Sequence, residues 1–313
     1  MEKANKKKVN LRNMIPMLGL VFVFLLFLAL TRGSLVRFSN VEVITNQAFG
    51  IMLVGAGAVF IYAHGGIDLS LGSLQGICIL FIVLLVRAGW NPVLVMIVSI
   101  LTGIVSGALV GGSSVVFGIP VFITSLCMNF IMRGTLTVAT AKGMMYLPEH
   151  FVALDRWGLK IAVLLVILVV SFLMFNYTRF GKYEKAIGGS SVVAKLSGVN
   201  VSRYRILAHV LTGAYVGVSA FFSAARAGSV FPASGQGFEM DVLIALVLGG
   251  LSLAGGASTK IRCAVLGALT IAIMENGFVL IGTNPNAIQG IKGLIFIVTV
   301  IFSFERKKGQ VVN

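Results

Sequence analysis

The chain has 313 residues, of which 58% are hydrophobic and 11% charged, with a formal net charge of +15, and its mean hydropathy is +1.00. So low a charged fraction, against roughly 25% in soluble domains, excludes an ordinary globular protein and points to an integral membrane protein. The basic excess sits in polar loops and tails and not on an amphipathic face with aromatic platforms, which excludes a nucleic-acid-binding module and fits a positive-inside bias.

The basic start, residues 1–13, leads into an apolar stretch from Met14 to Leu30 that resembles a signal peptide but lacks a convincing cleavage site, and it reads as the first membrane helix. A hydrocarbon core takes about 20 residues of helix to cross. Further spans are predicted near residues 43–63, 69–86, 93–111, 119–140, 160–176, 206–225, 241–255, 264–281 and 287–304. Ten spans place both termini on one side. That side receives five Lys/Arg before the first span, six between Arg179 and Arg205, Lys260 with Arg262, and three from Arg306 to Lys308. The other receives Arg32, Arg37, Arg87, Lys142, Arg156, Lys160 and Arg226, so the first side is cytoplasmic. The expected fold is one all-α polytopic domain over residues 1–313, with cytoplasmic tails at 1–13 and 305–313 and a cytoplasmic loop over 177–205.

Between the second and third spans lies HGGIDLSLGS, His64 to Ser73. Gly65 and Gly66 tolerate backbone angles other residues resist. Asp68 can cap the following span, with Ser70 and Gly72 beside it. The stretch reads either as a helix break lining a protected path or as a tight cytoplasmic turn. LGGLSLAGGAST, Leu248 to Thr259, echoes it through Gly249, Gly250, Gly255 and Gly256. Paired broken segments point to transporter repeats; repeats starting at the second and seventh spans would be inverted. Gly103, Gly107 and Gly111 recur every four residues and mark a close helix contact, within one subunit or between two.

GGIDLSLGS, RFGKYEKAIGGSSVVAKLSGVNV and GFEMDVLIALVLGGLSLAGG together resemble, in order and spacing, the permease subunits of ribose-type ABC importers. The resemblance implies a helical permease of about ten spans in a bacterial inner membrane. It would pair with a second copy or a similar permease, receive its solute from an extracytoplasmic binding protein, and be driven by separate ATPase subunits that use ATP and magnesium. The loop from Arg179 to Arg205 is a docking surface by composition, and the resemblance makes it the ATPase contact, through Gly188, Gly189, Ala194, Leu196, Ser197 and Gly198. Ser190 stands where the family usually has Asn, and Val193 where it often has Ala. Glu239 and Asp241 match the family's acidic pair and are candidate contacts for the binding protein; capping the next helix is their alternative role.

No phosphate-binding Gly-x-x-x-x-Gly-Lys-Ser/Thr and no His-Glu-x-x-His is present, so no catalytic residue, metal site or bound cofactor is expected. His64, His150 and His209 read as loop-end or packing residues, and Cys78, Cys127 and Cys263 as small packing residues. Arg133, Glu275 and Lys292 fall within spans, where charges face a bundle interior or aqueous cavity. Asn46, Gln47, Phe49, Asn129, Phe130 and Asn276 are candidate path residues for a monosaccharide or related neutral solute, with interhelical hydrogen bonding as the alternative. The rival function is an ion-coupled secondary transporter with Asp68 or Glu275 carrying a proton.

Overall fold

The computed structural model describes residues 11–252 and 255–303, leaving most of the two tails outside the described residues. Among these it is an all-helical membrane protein with one two-residue strand pair. The apolar runs become α1 (Leu11–Leu30), α2 (Phe38–Ala63), α3 (Leu71–Arg87), α4 (Pro92–Phe117), α5 (Val121–Ala139), α6 (Glu149–Val152) and α7 (Trp157–Tyr177). They continue as α8 (Arg179–Gly189), α9 (Ser191–Leu196), α10 (Val201–Ala227), α11 (Phe238–Leu248), α12 (Arg262–Leu280) and α13 (Pro285–Ser303). Helices α2, α4, α5, α7, α10 and α12 are each long and apolar enough to cross a membrane; α1, α3 and α13 carry shorter apolar stretches.

One expected span is corrected. The segment 241–255 is helical only to Leu248, within the 11-residue α11, which is about 16 Å long at 1.5 Å per residue and half a hydrocarbon core. Its second half, the glycine-rich stretch, leaves the helix at Gly249. Hydropathy cannot see this, because buried irregular backbone is as apolar as buried helix.

Helix α2 is the central post, with most of its length from Ala48 to Ala63 buried, and it packs on α10 and α12. The closest pairing is α4 with α10. A methyl group on Gly103 would collide with the Gly213 carbonyl, and one on Gly107 with the carbonyl of His209. The glycine stripe of α4 therefore serves a contact within this chain. Near the far ends of these helices, β1 (Met145–Tyr146) pairs antiparallel with β2 (Ser229–Val230).

Segment 231–237 packs against α3. The Arg133 guanidinium donates to the Ser234 carbonyl at 2.7 Å. A methyl on Gly76 would sit 2.7 Å from the same oxygen, and one on Gly72 would collide with the Glu239 carboxylate.

Candidate coupling site

Helix α2 stops at Ala63, and Gly65 takes the left-handed conformation at φ 83°. The chain from His64 to Ser70 then runs back into the bundle without helix. Its freed backbone is satisfied locally: Leu69 N donates to Ser125 Oγ at 3.1 Å, and Asp68 Oδ1 accepts from Ser70 N at 2.8 Å and Ser70 Oγ at 2.6 Å. The capping expectation shifts by two residues. Ser70 is the cap position of α3, and Asp68, 2% exposed, braces it from the preceding turn.

The second glycine stretch also breaks, with Gly250, Gly255 and Gly256 at φ 90°, 70° and 84°. The two breaks meet: Gly256 N donates to Ala63 O at 2.8 Å. Gly188 of α8 rests on that bond. A methyl there would collide with Ala63 O and lie 2.6 Å from Gly256 N. Two stretches that the sequence shows only as separate glycine clusters are thus joined at one point, with the end of α8 against both.

The loop carrying that glycine is more ordered than its charges suggest. Helix α8 buries Gly181, Glu184 and Ile187 on one face. Ser190 caps α9 by accepting from Val193 N at 3.3 Å, a task Asn performs equally well, which accounts for Ser at that position. Gly198 closes the loop at φ 83°, and Asn200 caps α10. Ala194 is buried, whereas Val192, Val193 and Leu196 are 67%, 60% and 83% exposed; Gly189 and Ser197 are exposed beside them.

Beneath α8 lies a polar cluster that the sequence did not reveal. Glu184 Oε2 is 2.7 Å from His64 Nδ1, with both side chains inaccessible. On the other side, His209 Nδ1 donates to the Arg205 carbonyl at 2.8 Å, and its Nε2 faces Asp68 Oδ2 at 3.7 Å. Burial pushes the Glu184 carboxyl up to about 9 against the opposing pull of Arg205, so it keeps a proton at neutral pH and donates it to His64.

This gives a pH-dependent expectation. An unfolded glutamate ionises near 4.3, so between that pH and about 9 the folded state holds the extra proton and stability falls as pH rises, by at most about 1.4 kcal/mol per unit. Glu184→Gln removes that slope. Thermal unfolding should show the variant gaining on the wild type from pH 5 to pH 9, whereas parallel profiles would contradict a protonated Glu184.

Beside the cluster, a cavity of about 460 Å³ is lined by Gly65, Gly66, Ile67, Pro120, Ser202 and Arg205. The candidate path residues are dispersed. Asn46 Oδ1 accepts from Lys160 Nζ at 2.6 Å, and Lys160 also pairs with Asp155. Phe49 packs edge-on to Phe222. Gln47 Oε1 and Asn276 Oδ1 are buried without a hydrogen-bond partner among the described residues. Asn129 and Phe130 lie on α5, which packs on α3 and α4, and Phe130 is 70% exposed.

Of the acidic pair, Glu239 sits against Gly72 and Asp241 accepts from Lys292 Nζ at 2.5 Å. Lys292 also donates to Glu275 at 2.6 Å. Asp241 is paired inside the chain, whereas Glu239 Oε2 is buried without a hydrogen-bond partner among the described residues; Glu275 is held in an ion triad.

Comparison with known proteins is consistent with this architecture. Residues 40–300 match the family model described as the branched-chain amino acid transport system / permease component. The ribose import permease protein of Escherichia coli (strain K12) is 26% identical over 273 residues, 84% of this chain and 85% of that one. The fructose import permease protein of Rhizobium meliloti is 29% identical over 303 residues, covering 91% and 83%. The D-allose transport system permease protein of E. coli (strain K12) is 30% identical over 288 residues, covering 88% of each. No solved structure matches the chain. With its two glycine breaks and the intervening loop all inside the matched region, this chain belongs to the branched-chain amino acid transport system permease-component family.

Proposed function

We propose that the chain is the membrane-spanning subunit of an ATP-binding cassette importer for a monosaccharide or related neutral solute. Separate ATPase subunits, using ATP and magnesium, drive it. An extracytoplasmic binding protein delivers the solute, and a second permease copy completes the pore. The subunit lies in a bacterial inner membrane with both termini cytoplasmic.

The observation that carries this reading is the seating of Gly188 on the bond between the breaks, directly ahead of a short helix with three large apolar side chains exposed. Outside a membrane span such a patch marks a protein contact. An ATPase bound to α9 would press α8 against both breaks, and their movement would alternate access to the path. Gln47 and Asn276, whose buried oxygens lack partners among the described residues, fit contacts for a solute hydroxyl; Asn46, Phe49, Asn129 and Phe130 complete the proposed path. Glu239 and Asp241 would shape the binding-protein surface by anchoring segment 231–237.

Reconstitution with the ATPase and binding protein should give uptake that requires ATP. Uptake by the permease alone, following a proton gradient, would overturn the reading. Leu196→Asp places a charge on the exposed patch and should weaken ATPase co-purification at least tenfold, roughly the 1–3 kcal/mol of a buried interface anchor, without affecting membrane insertion. Unchanged co-purification would remove α9 from the interface.

A further inference from the structure

Helix α8 touches the end of α2 once per turn. Phe180 stacks on Phe60 with ring centroids 4.9 Å apart, Glu184 meets His64 at 2.7 Å, and Gly188 abuts Ala63. Residues four apart share a helix face, so the three contacts form one stripe along α8. The first is apolar and the last is a close backbone approach; both resist compression but allow sliding or separation. Only the middle contact has direction and can transmit a pull.

Its place in the chain matters as much as its chemistry. His64 is the first residue beyond α2, at the hinge where the helix gives way to the break. The ring is held near α10 as well, its centroid 6.1 Å from that of His209. His209 in turn binds the Arg205 carbonyl and faces Asp68. Among the described residues, no three His, Cys, Asp or Glu side chains are placed to hold a metal ion, so metal ligation does not account for the cluster. Packing does not account for it either, because two apolar side chains of similar volume would usually stabilise such a site as well or better. Among the described residues Glu184 Oε1 and His64 Nε2 lack partners, and this incompletely satisfied pair costs stability that an apolar pair would not.

We propose that His64 and Glu184 are positioning residues that carry the movement of α8 into the first break, tying ATP hydrolysis to solute movement through one buried hydrogen bond. The inference rests on the proposed function, because it requires an ATPase docked on α9. Glu184 takes the stroke from the docked helix, His64 delivers it to Gly65 and Gly66, and His209 with Arg205 forms the fixed wall on α10.

The test uses the full chain with its ATPase and binding protein in liposomes, recording ATP hydrolysis and uptake together. Co-purification with the ATPase is scored separately, and its absence in the wild type overturns the docking reading alone. In assembled complexes, Glu184→Leu and His64→Leu should each keep ATP hydrolysis within threefold while lowering uptake per ATP at least tenfold. The double variant should be no worse than either single one. Glu184→Gln, whose amide donates to His64 Nδ1, should recover most of the ratio, which a role in packing alone would not produce. Equal ratios for Glu184→Leu, Glu184→Gln and wild type overturn the inference. Should the leucine variants fail to assemble, the exchange His64→Glu/Glu184→His decides: coupled uptake supports the bond, and an assembled but uncoupled complex rejects it.

Discussion

Gly188→Val should abolish ATP-driven uptake, lowering it by about 100-fold, the scale on which a displacement of about 1 Å disables a working geometry. No rotamer relieves the clash, because it begins at Cβ: the added carbon meets the Ala63 carbonyl and the Gly256 amide, the two atoms that bond the breaks together. Either α8 lifts from its seat or the Gly256–Ala63 bond opens, and both disconnect the docking loop from the path. Gly112→Val is the control, since a side chain there has open space. Initial rates of solute uptake in proteoliposomes, with insertion checked by protease protection, provide the measurement. Near-wild-type uptake in Gly188→Val would show that the junction does not transmit motion.

Lys292→Met should be the most destabilising single change among the charged residues. It leaves Asp241 and Glu275, 20% and 16% exposed, facing each other without the cation that both bind. Removing one partner of a buried ion group costs roughly 3–5 kcal/mol, and partial exposure places this triad near 3 kcal/mol. Thermal unfolding in detergent measures it. Lys292→Met/Glu275→Gln should regain part of the loss because one uncompensated charge disappears. The same residues separate the importer from its ion-coupled rival. Glu275→Gln should preserve ATP-dependent uptake, since Glu275 serves α11, α12 and α13 as a tie, whereas abolished uptake in a stable Glu275→Gln protein would assign it the coupling proton.

Much of this arrangement is legible in the residues themselves. Glycines and an aspartate in an apolar run cannot be lipid-facing helix, so HGGIDLS announces a break, and the charges from Arg179 to Arg205 announce a loop outside the membrane. The truncation of α11 is hidden because VLGGLSLAGG is apolar whether or not it is helical. The stripe of α8 is hidden because its central buried position is Glu184, which breaks the apolar periodicity that marks a packed face. His64 and Glu184 are 120 residues apart, and no local pattern joins them. A lone histidine at a span end and a lone glutamate among lysines and arginines are the only signals, and each has an ordinary explanation by itself. Glu239 and Asp241 are opaque for a different reason: nothing local shows that Glu239 lies against Gly72 of α3 and that Asp241 binds Lys292 of α13.

The amide of Gly256 and the carbonyl of Ala63 belong to stretches of the chain almost two hundred residues apart, and one hydrogen bond ties them. In the proposed importer, two hinges joined in this way would tend to move together, so a push at the loop would reach both walls of the passage. A variant that opens that bond should therefore let one wall move without the other.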